Sequence, residues 1–351
     1  MATIQNSAVT PATVNVNISQ SASGENKIYM ANAYIAAKAL ARAVPYLVFE
    51  KFGQGYPLPS KSTRSIKFRR FEALDNTPTE LTEGVTPQGQ TMTFTDIDAE
   101  LKQYGNLLVL SDVILGTADS PVMEQASALI GEQAAQVVER IRINTLLGGS
   151  NVEYANGTAR AEVNTPISLG LQRRVTRKLK NQMARFITDT IASTPRFYTE
   201  SVLPCFVAIT HPDVEGDIRQ LVGFKDAVDY GTTAPWENEI GACENVRYMF
   251  TTMMPVFQDA GGNVTNAAGN TMLSTSGTKA DVYPVLFLAK DAYGLVPLKG
   301  MDALTPMIQN PTPTPSDPLA QRAYVAWKTM QTCVILNQAW MVRAEVAATA
   351  Y

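Results

Sequence analysis

Residues 60–104 read SKSTRSIKFRRFEALDNTPTELTEGVTPQGQTMTFTDIDAELKQY and carry the clearest structural signal in the chain. Every charged side chain up to Arg70 is basic, and every one from Glu72 to Glu100 is acidic. Apolar and charged residues alternate on both flanks, as around Lys67 and around Asp98, which is typical of strands. The sequence therefore predicts a long hairpin with a basic outgoing strand and an acidic return strand.

Two interpretations of this hairpin remain open. An isolated two-stranded ribbon is only marginally stable in water, so it either lies on its own domain or reaches a neighbouring subunit. Folded back once, it would span roughly 50 Å or more, and we favour the extended form. The candidate inter-subunit residues are Lys61, Arg64, Lys67, Arg69, Arg70, Glu83, Asp96, Asp98 and Glu100.

The segments before the hairpin differ sharply in character. Residues 1–24 contain no charged side chain and too little apolar surface to offset their ordering entropy. They are either a disordered tail or an arm that orders against a partner, and we favour the arm. Apolar residues recur at helical spacing over 28–44, and a Gly/Pro-rich loop follows at 53–59.

A long helix is predicted after the hairpin, over residues 121–147. Ser120 can cap it, Pro121 suits its first position, and Gly148-Gly149 ends it. At 1.5 Å per residue it would be about 40 Å long, which suits the backbone of an elongated molecule. The apolar stripe expected to be buried comprises Val122, Ala126, Leu129, Ile130, Ala134, Val137, Val138 and Ile141.

The remainder alternates between helical and strand patterns. The patterns over residues 151–300 predict a mixed α/β unit. Residues 311–318 are expected to form a Pro-rich spacer, and strand patterns return over residues 323–347. Within the α/β unit the helix at 166–184 is locally basic. Its outward cations could face solvent, nucleic acid or a neighbouring subunit, and these alternatives stay open. They are Arg173, Arg174, Arg177, Lys178 and Lys180.

Composition argues against several function classes. A net charge of −3 does not suggest a general nucleic-acid binder. The 17% of charged residues is low, which fits either long uncharged loops or a surface covered by neighbours. The three cysteines are far apart and are read as reduced, buried thiols, and the single histidine, His211, as a turn or cap residue.

Catalytic and cofactor motifs are not evident in the sequence. It shows no GxSxG elbow, no phosphate-binding glycine loop and no metal-ligand spacing, so we expect no catalytic residue, no cofactor and no metal. It also shows no apolar run of membrane-spanning length and no signal peptide. We expect a soluble, non-enzymatic protein made in a reducing cytoplasm.

The order of these parts resembles the tailed-bacteriophage capsid fold, also called the Johnson fold. Particular runs are similar to the podophage-related major capsid proteins. They are Ile66 to Phe71, Leu81 to Pro87, Gln103 to Gly105 with Leu110-Ser111-Asp112, Gly241 to Tyr248, and Asp317 to Arg322 with Trp327-Lys328.

The resemblance implies an α+β fold divided into named parts. These are an N-terminal arm (1–28), a helix and loop (29–59), an extended loop (60–104), a peripheral domain with the spine helix (105–149), an α/β axial domain (150–300) and a return to the peripheral domain (301–351). It also implies a shell of hexamers and pentamers around packaged double-stranded DNA, assembled in the bacterial host cytoplasm. Scaffold, portal and decoration proteins would be further partners, and no membrane would be involved.

Three rival functions would each leave a distinct trace. An encapsulin-type compartment shares the fold but encloses enzyme cargo instead of DNA. An enzyme would show a deep pocket with a strongly perturbed carboxylate. A tail or decoration protein would not form a lattice of pentamers and hexamers.

Overall fold

The computed structural model describes residues 47–59, 63–72, 74–78, 80, 83–84, 86, 89–117, 122–191, 201–230, 235–298, 306–313 and 317–351. The expected arm at 1–28, the helix at 28–44, Lys61 and the cap at Ser120-Pro121 lie outside these ranges. The described helices are α1 (Asp112–Thr117), α2 (Val122–Leu147), α3 (Leu169–Asn181) and α4 (Glu215–Arg219).

The strands build three sheets. In chain order they are β1 (Gln54–Gly55), β2 (Ser65–Phe71), β3 (Phe94–Glu100), β4 (Lys102–Ser111), β5 (Val152–Tyr154), β6 (Phe206–Thr210), β7 (Phe224–Asp226), β8 (Glu239–Cys243), β9 (Val246–Phe250), β10 (Tyr283–Leu288), β11 (Tyr293–Pro297), β12 (Pro306–Gln309), β13 (Arg322–Ile335) and β14 (Met341–Val346).

A five-stranded sheet is organised around β13. This strand pairs antiparallel with β4, β11 and β12, and β1 adds to β11 in parallel. The predicted loop at 53–59 therefore includes a two-residue strand. The predicted strands within 323–336 are instead one continuous strand of 14 residues.

The long helix α2 covers one face of this sheet. Its first half packs Ala126, Ile130 and Ala134 against Val325 and Trp327 of β13. The prediction that Leu129 is buried is wrong, since that side chain is 54% exposed. The buried side of α2 lies beside Leu129 and also includes four small residues: Ser127, Ala128, Gly131 and Ala135.

A seven-stranded mixed sheet forms the second half of the molecule, in the order β5-β14-β10-β6-β9-β8-β7. Its centre is fully buried, because α3 and α4 cover one face and the end of α2 with the turn at Phe49–Lys51 covers the other. The chain does not pass from one sheet to the other at residue 300. Strand β11, before it, lies in the five-stranded sheet, and β14, after it, lies in the seven-stranded sheet.

Candidate assembly surfaces

The hairpin of β2 and β3 is a separate two-stranded sheet that is attached to the body at its base. Its register pairs Ile66 with Ala99 and Phe68 with Ile97, which places these apolar side chains on one face. That face packs on a small buried cluster that includes Leu101. The alternating sequence therefore attaches one face of the ribbon and leaves the other face to carry charges.

The charges on the opposite face are paired within the hairpin. Arg69 Nε and Nη2 donate to the two carboxylate oxygens of Asp96 at 2.8 and 2.9 Å. The Arg69 guanidinium holds the pKa of Asp96 below its usual value by hydrogen bonding and charge. Two further exposed pairs, Lys67–Asp98 at 3.6 Å and Arg64–Glu100 at 3.3 Å, follow toward the base of the hairpin.

Because of this pairing, most of the segregated charges already have a partner within the hairpin. Exposed pairs add little to stability, but they fix the register of the two strands. Among the described residues, Arg70 and Glu83 of the candidate inter-subunit set have no ion-pair partner. The inter-subunit role of the other members stays a prediction, because each of those described already has a partner in its own chain.

Apolar side chains are exposed where the paired strands end. Phe71 and Phe94 are opposite one another, with ring centroids 6.4 Å apart, and are 58% and 51% exposed. Leu74 and Met92, which lie just beyond the paired strands in the sequence, are also exposed, at 59% and 67%. A cluster of large apolar groups at the far end of a ribbon is typical of a surface that another molecule covers.

The loop beyond this cluster, residues 72–93, is acidic. It contains four carboxylates and no cation, so its net charge is −4. Glu72 accepts a hydrogen bond from Thr95, and Asp75 accepts from Thr77, but neither contact neutralises the charge. Glu80 and Glu83 are exposed. All four carboxylates of this segment are therefore exposed and negative.

The basic helix α3 is positioned by its apolar side. Ser168 caps it by accepting from the Leu171 backbone N–H at 3.2 Å. Leu171, Val175 and Leu179 are buried in the core of the seven-stranded sheet. The same periodicity turns the five candidate cations outward.

The outward cations of α3 are only partly neutralised. Arg173 forms an ion pair with Glu244, and Lys178 pairs with Glu153 at 2.8 Å. Arg174 donates to the Tyr154 carbonyl and Lys180 to the Asn245 side chain, which are both uncharged. Arg177 is exposed and has no ion pair among the described residues. The five cations less the two carboxylates leave this face with a net charge of +3.

A buried ion pair inside α2 was not foreseen. Glu139 has no exposed surface, and its Oε1 accepts from the backbone N–H groups of Val48 and Phe49 at 2.8 Å each. Arg142 lies 3.4 Å from Glu139 and 3.3 Å from Glu50. The Tyr293 hydroxyl donates to the Phe49 carbonyl. This network fastens the turn at 48–51 to the C-terminal half of α2.

A second buried pair joins the strand β9 to the first residue of β8. Arg247 forms a two-pronged pair with Glu239 and lies 3.8 Å from the ring centroid of Trp236. The Tyr230 hydroxyl donates to Glu239 at 2.6 Å, and burial raises its pKa well above the usual value. The short spacing of Glu239 and Arg247 was the only sequence signal for this contact.

The histidine and the three cysteines, side chains that catalysis commonly uses, are explained here by capping and by burial. His211 accepts from the Asp213 backbone N–H at a helix start, which confirms the cap interpretation. All three cysteines are free and buried, as predicted, and burial raises the pKa of Cys205 and of Cys333 to about 12. No cluster of metal-ligating side chains occurs among the described residues, and no described helix is long and apolar enough to cross a bilayer.

Comparison with known proteins agrees with this architecture. A family model described as phage capsid protein matches residues 94–289. A search of curated protein sequences found no match. Among solved structures, the capsid of Ralstonia phage GP4 superposes with a TM-score of 0.62 at 13% identity, covering 85% of this chain and 87% of that one.

Two further capsids show the same fold. The capsid asymmetric unit of cyanophage Pam1 gives a TM-score of 0.57 at 12% identity and covers 86% of this chain and 89% of that one. The mature capsid of bacteriophage PhiM1 gives 0.52 at 13% identity, with 85% and 86% covered. The expected tailed-phage capsid fold is thus confirmed, and because the family model spans more than half of the 351 residues, the chain belongs to the phage capsid protein family and is a structural protein of the virion.

Proposed function

We propose that this chain self-assembles as hexamers and pentamers into an icosahedral phage head that encloses double-stranded DNA. The observation that carries the proposal is the hairpin β2–β3, which is attached at its base and exposes Phe71 and Phe94 at its far end. Such a ribbon is marginal alone and gains stability when a second subunit covers it. Contacts of this kind, repeated under closed symmetry, build a shell.

The parts of the subunit would divide this work. The extended loop (60–104) and the arm (1–28) would reach neighbouring subunits. The five-stranded sheet with α2 would form the peripheral domain, and the seven-stranded sheet with α3 and α4 the axial domain that meets its copies at capsomer centres. Strand β11 would belong to the peripheral domain and β14 to the axial domain, so the chain would pass between the two domains more than once. These connections would join the two domains rigidly.

Other partners are proposed by analogy with the family. Packaged DNA would lie against the inner face, and scaffold, portal and decoration proteins would join at defined stages in the bacterial host cytoplasm. An enzymatic role has no support in the residues described. An encapsulin-type compartment is the alternative within the same fold, and the enclosed content would separate the two.

A direct test combines sedimentation with electron microscopy of the purified full-length chain. We expect closed shells with pentameric and hexameric capsomers. Replacing Phe71→Ser together with Phe94→Ser should give a folded subunit that forms few or no shells, because the covered apolar contact is lost. The matched variant Phe71→Leu with Phe94→Leu keeps an apolar surface and should still assemble.

Two outcomes would contradict the proposal. One is a wild-type protein that remains monomeric under all conditions that support particle formation by related capsids. The other is a serine double variant whose shells form as readily as those of the wild type, since the hairpin end would then not contact a neighbour.

A further inference from the structure

Strand β4 has one edge that no other described strand pairs with. On its opposite edge it pairs with β13 along its whole length. The N–H of Asp112 continues this ladder by donating to the Gln321 carbonyl at 3.0 Å. Because the N–H groups of an antiparallel strand point alternately to its two edges, those of Leu107 and Val109 point away from β13. A long edge of this kind can accept a further strand.

Little in the sequence of β4 protects this edge. The segment from Gly105 to Ser111 contains no proline and no charged side chain, which are the usual means of protection. The Asn106 side chain accepts from the outward N–H of Leu107 at 2.8 Å and so covers one donor. The Leu101 N–H donates to Arg64 at 2.9 Å on the same side of the chain. An added strand would therefore continue the line that β2 begins.

The sheet face beside this edge is apolar at its centre. The register places Leu107 beside Ala326 and Ala326 beside Met307, on the face that α2 does not cover. These three side chains border an open groove of about 500 Å³. Leu107 is 53% exposed, and Val109 and Met307 are each 50% exposed. An added strand would find apolar surface here as well as free backbone groups.

Two cations lie at the ends of this apolar surface. Arg322 is the register partner of Ser111, and Lys328 is the register partner of Gly105. Both cations are exposed and have no ion pair among the described residues, and β4, β12 and β13 contain no carboxylate. A Cβ at Gly105 would lie 2.7 Å from the Trp327 carbonyl oxygen, so this position stays without a side chain. Long acidic side chains on a strand next to β4 could therefore reach across to both cations.

From these observations we propose that the open edge of β4 binds an extended segment of another protein as an added strand. The segment would place apolar side chains beside Leu107 and Val109 and an acidic residue at each end, facing Arg322 and Lys328. Backbone hydrogen bonds would attach it, and the charges would set its register. A second copy of β4 fits this edge less well, because antiparallel pairing would bring Arg322 of one copy beside Lys328 of the other. The site goes beyond the shell function proposed above and does not depend on it.

A peptide-binding measurement on the full-length, unassembled subunit tests the charges. The probe is the dye-labelled peptide Glu-Thr-Val-Thr-Val-Thr-Glu, whose glutamate and valine side chains share one face of a strand. The matched control peptide has lysine in place of both glutamates. We expect fluorescence anisotropy at low salt to show about tenfold tighter binding of the acidic peptide or more. The preference should reverse in the variant Arg322→Glu with Lys328→Glu.

A second set of measurements tests the backbone pairing. Val109→Pro removes an N–H that points to the open edge and no hydrogen bond to β13, so the subunit should fold. The same variant should bind the acidic peptide about tenfold more weakly or worse. Val109→Thr keeps the N–H and the branched side chain and should bind as the wild type does. A peptide N-methylated on the amides that face β4 should not bind the wild type, which tests the pairing even where the proline variant does not fold.

Four outcomes would overturn the proposal. The first is a wild-type subunit that does not bind the acidic peptide, and the second is equal binding of the acidic and the lysine peptide. The third is an N-methylated peptide that binds as tightly as the unmodified one, since the contact would then not use the strand edge. The fourth is a wild-type dimer in sedimentation that Val109→Pro abolishes, which would assign the edge to a second copy of this chain.

Discussion

Removing the Glu139 carboxylate should be among the most destabilising single changes in α2. The substitution Glu139→Ala leaves the N–H groups of Val48 and Phe49 without their acceptor, and each buried unsatisfied donor costs about 1–3 kcal/mol. It also removes one partner of a buried pair with Arg142, a loss of about 3–5 kcal/mol. These contributions overlap, and we expect a total near 4 kcal/mol, a large share of the roughly 5–15 kcal/mol that stabilises a domain.

The matched variant is Glu139→Gln, which keeps a carbonyl oxygen for the two N–H groups. Arg142 retains Glu50 as a partner, so the expected cost is only about 1–2 kcal/mol. Urea unfolding of the unassembled subunit, followed by tryptophan fluorescence, would measure both. An alanine variant within 1 kcal/mol of the wild type would refute the argument that this network fastens the turn at 48–51 to α2.

The stability of the wild type and that of Glu139→Gln should depend differently on pH. Burial raises the pKa of Glu139, while Arg142 and the two N–H groups oppose that rise. A carboxyl group whose pKa is raised by folding binds its proton more tightly in the folded state. Its stabilising contribution is therefore complete below the unfolded value near 4.5 and is lost as the pH rises through the folded value. The wild type should lose stability relative to Glu139→Gln as the pH rises above about 4.5, and a relative gain would show that Arg142 dominates.

Four further outcomes are expected. Reversing Lys67 and Arg69 to Glu should reduce particle yield in sedimentation more than it lowers the melting temperature of the subunit; a sharp fall in melting with a merely proportional fall in yield would make the hairpin an internal element. Deleting residues 1–28 should leave a folded subunit whose shells are absent or fragile, and shells that resist heat as well as full-length ones would show that the segment is a tail. Val137→Asp should prevent folding because it places an unpaired charge against the sheet, whereas a soluble, folded variant would contradict the packing of α2. Cys333 should not react with a thiol reagent until the protein unfolds, because burial raises the pKa of the thiol to about 12; rapid labelling of the native subunit would contradict that burial.

Local patterns accounted for much of the fold. The apolar stripe and the helix-ending Gly148-Gly149 predicted a helix over 121–147, and α2 spans Val122–Leu147. The alternation around Lys67 and Asp98 predicted a hairpin, and these two residues are register partners. These predictions succeeded because the periodicity of a helix or a strand depends only on residues that are close together in the sequence.

Long-range contacts were out of reach of the same reasoning. Glu139 and Arg142 look like solvent-facing charges in the sequence, because Val48 and Phe49, which bind Glu139, and Glu50, which binds Arg142, lie about 90 residues away. Leu129 was misassigned for a related reason. The face that α2 buries is set by the approach of β13, which covers Ala126, Ile130 and Ala134 and leaves Leu129 outside the contact.

The antiparallel ladder between β4 and β13 has a mechanical consequence. Its ten register pairs run from Lys102–Gln331 to Ser111–Arg322, and β4 continues almost directly from the hairpin strand β3. Tension applied through the hairpin would therefore run along these strands and load the ladder in shear, so that many hydrogen bonds share the force at once. Pulling the hairpin away from the body along β4 would therefore require all ten pairs to slide past one another together.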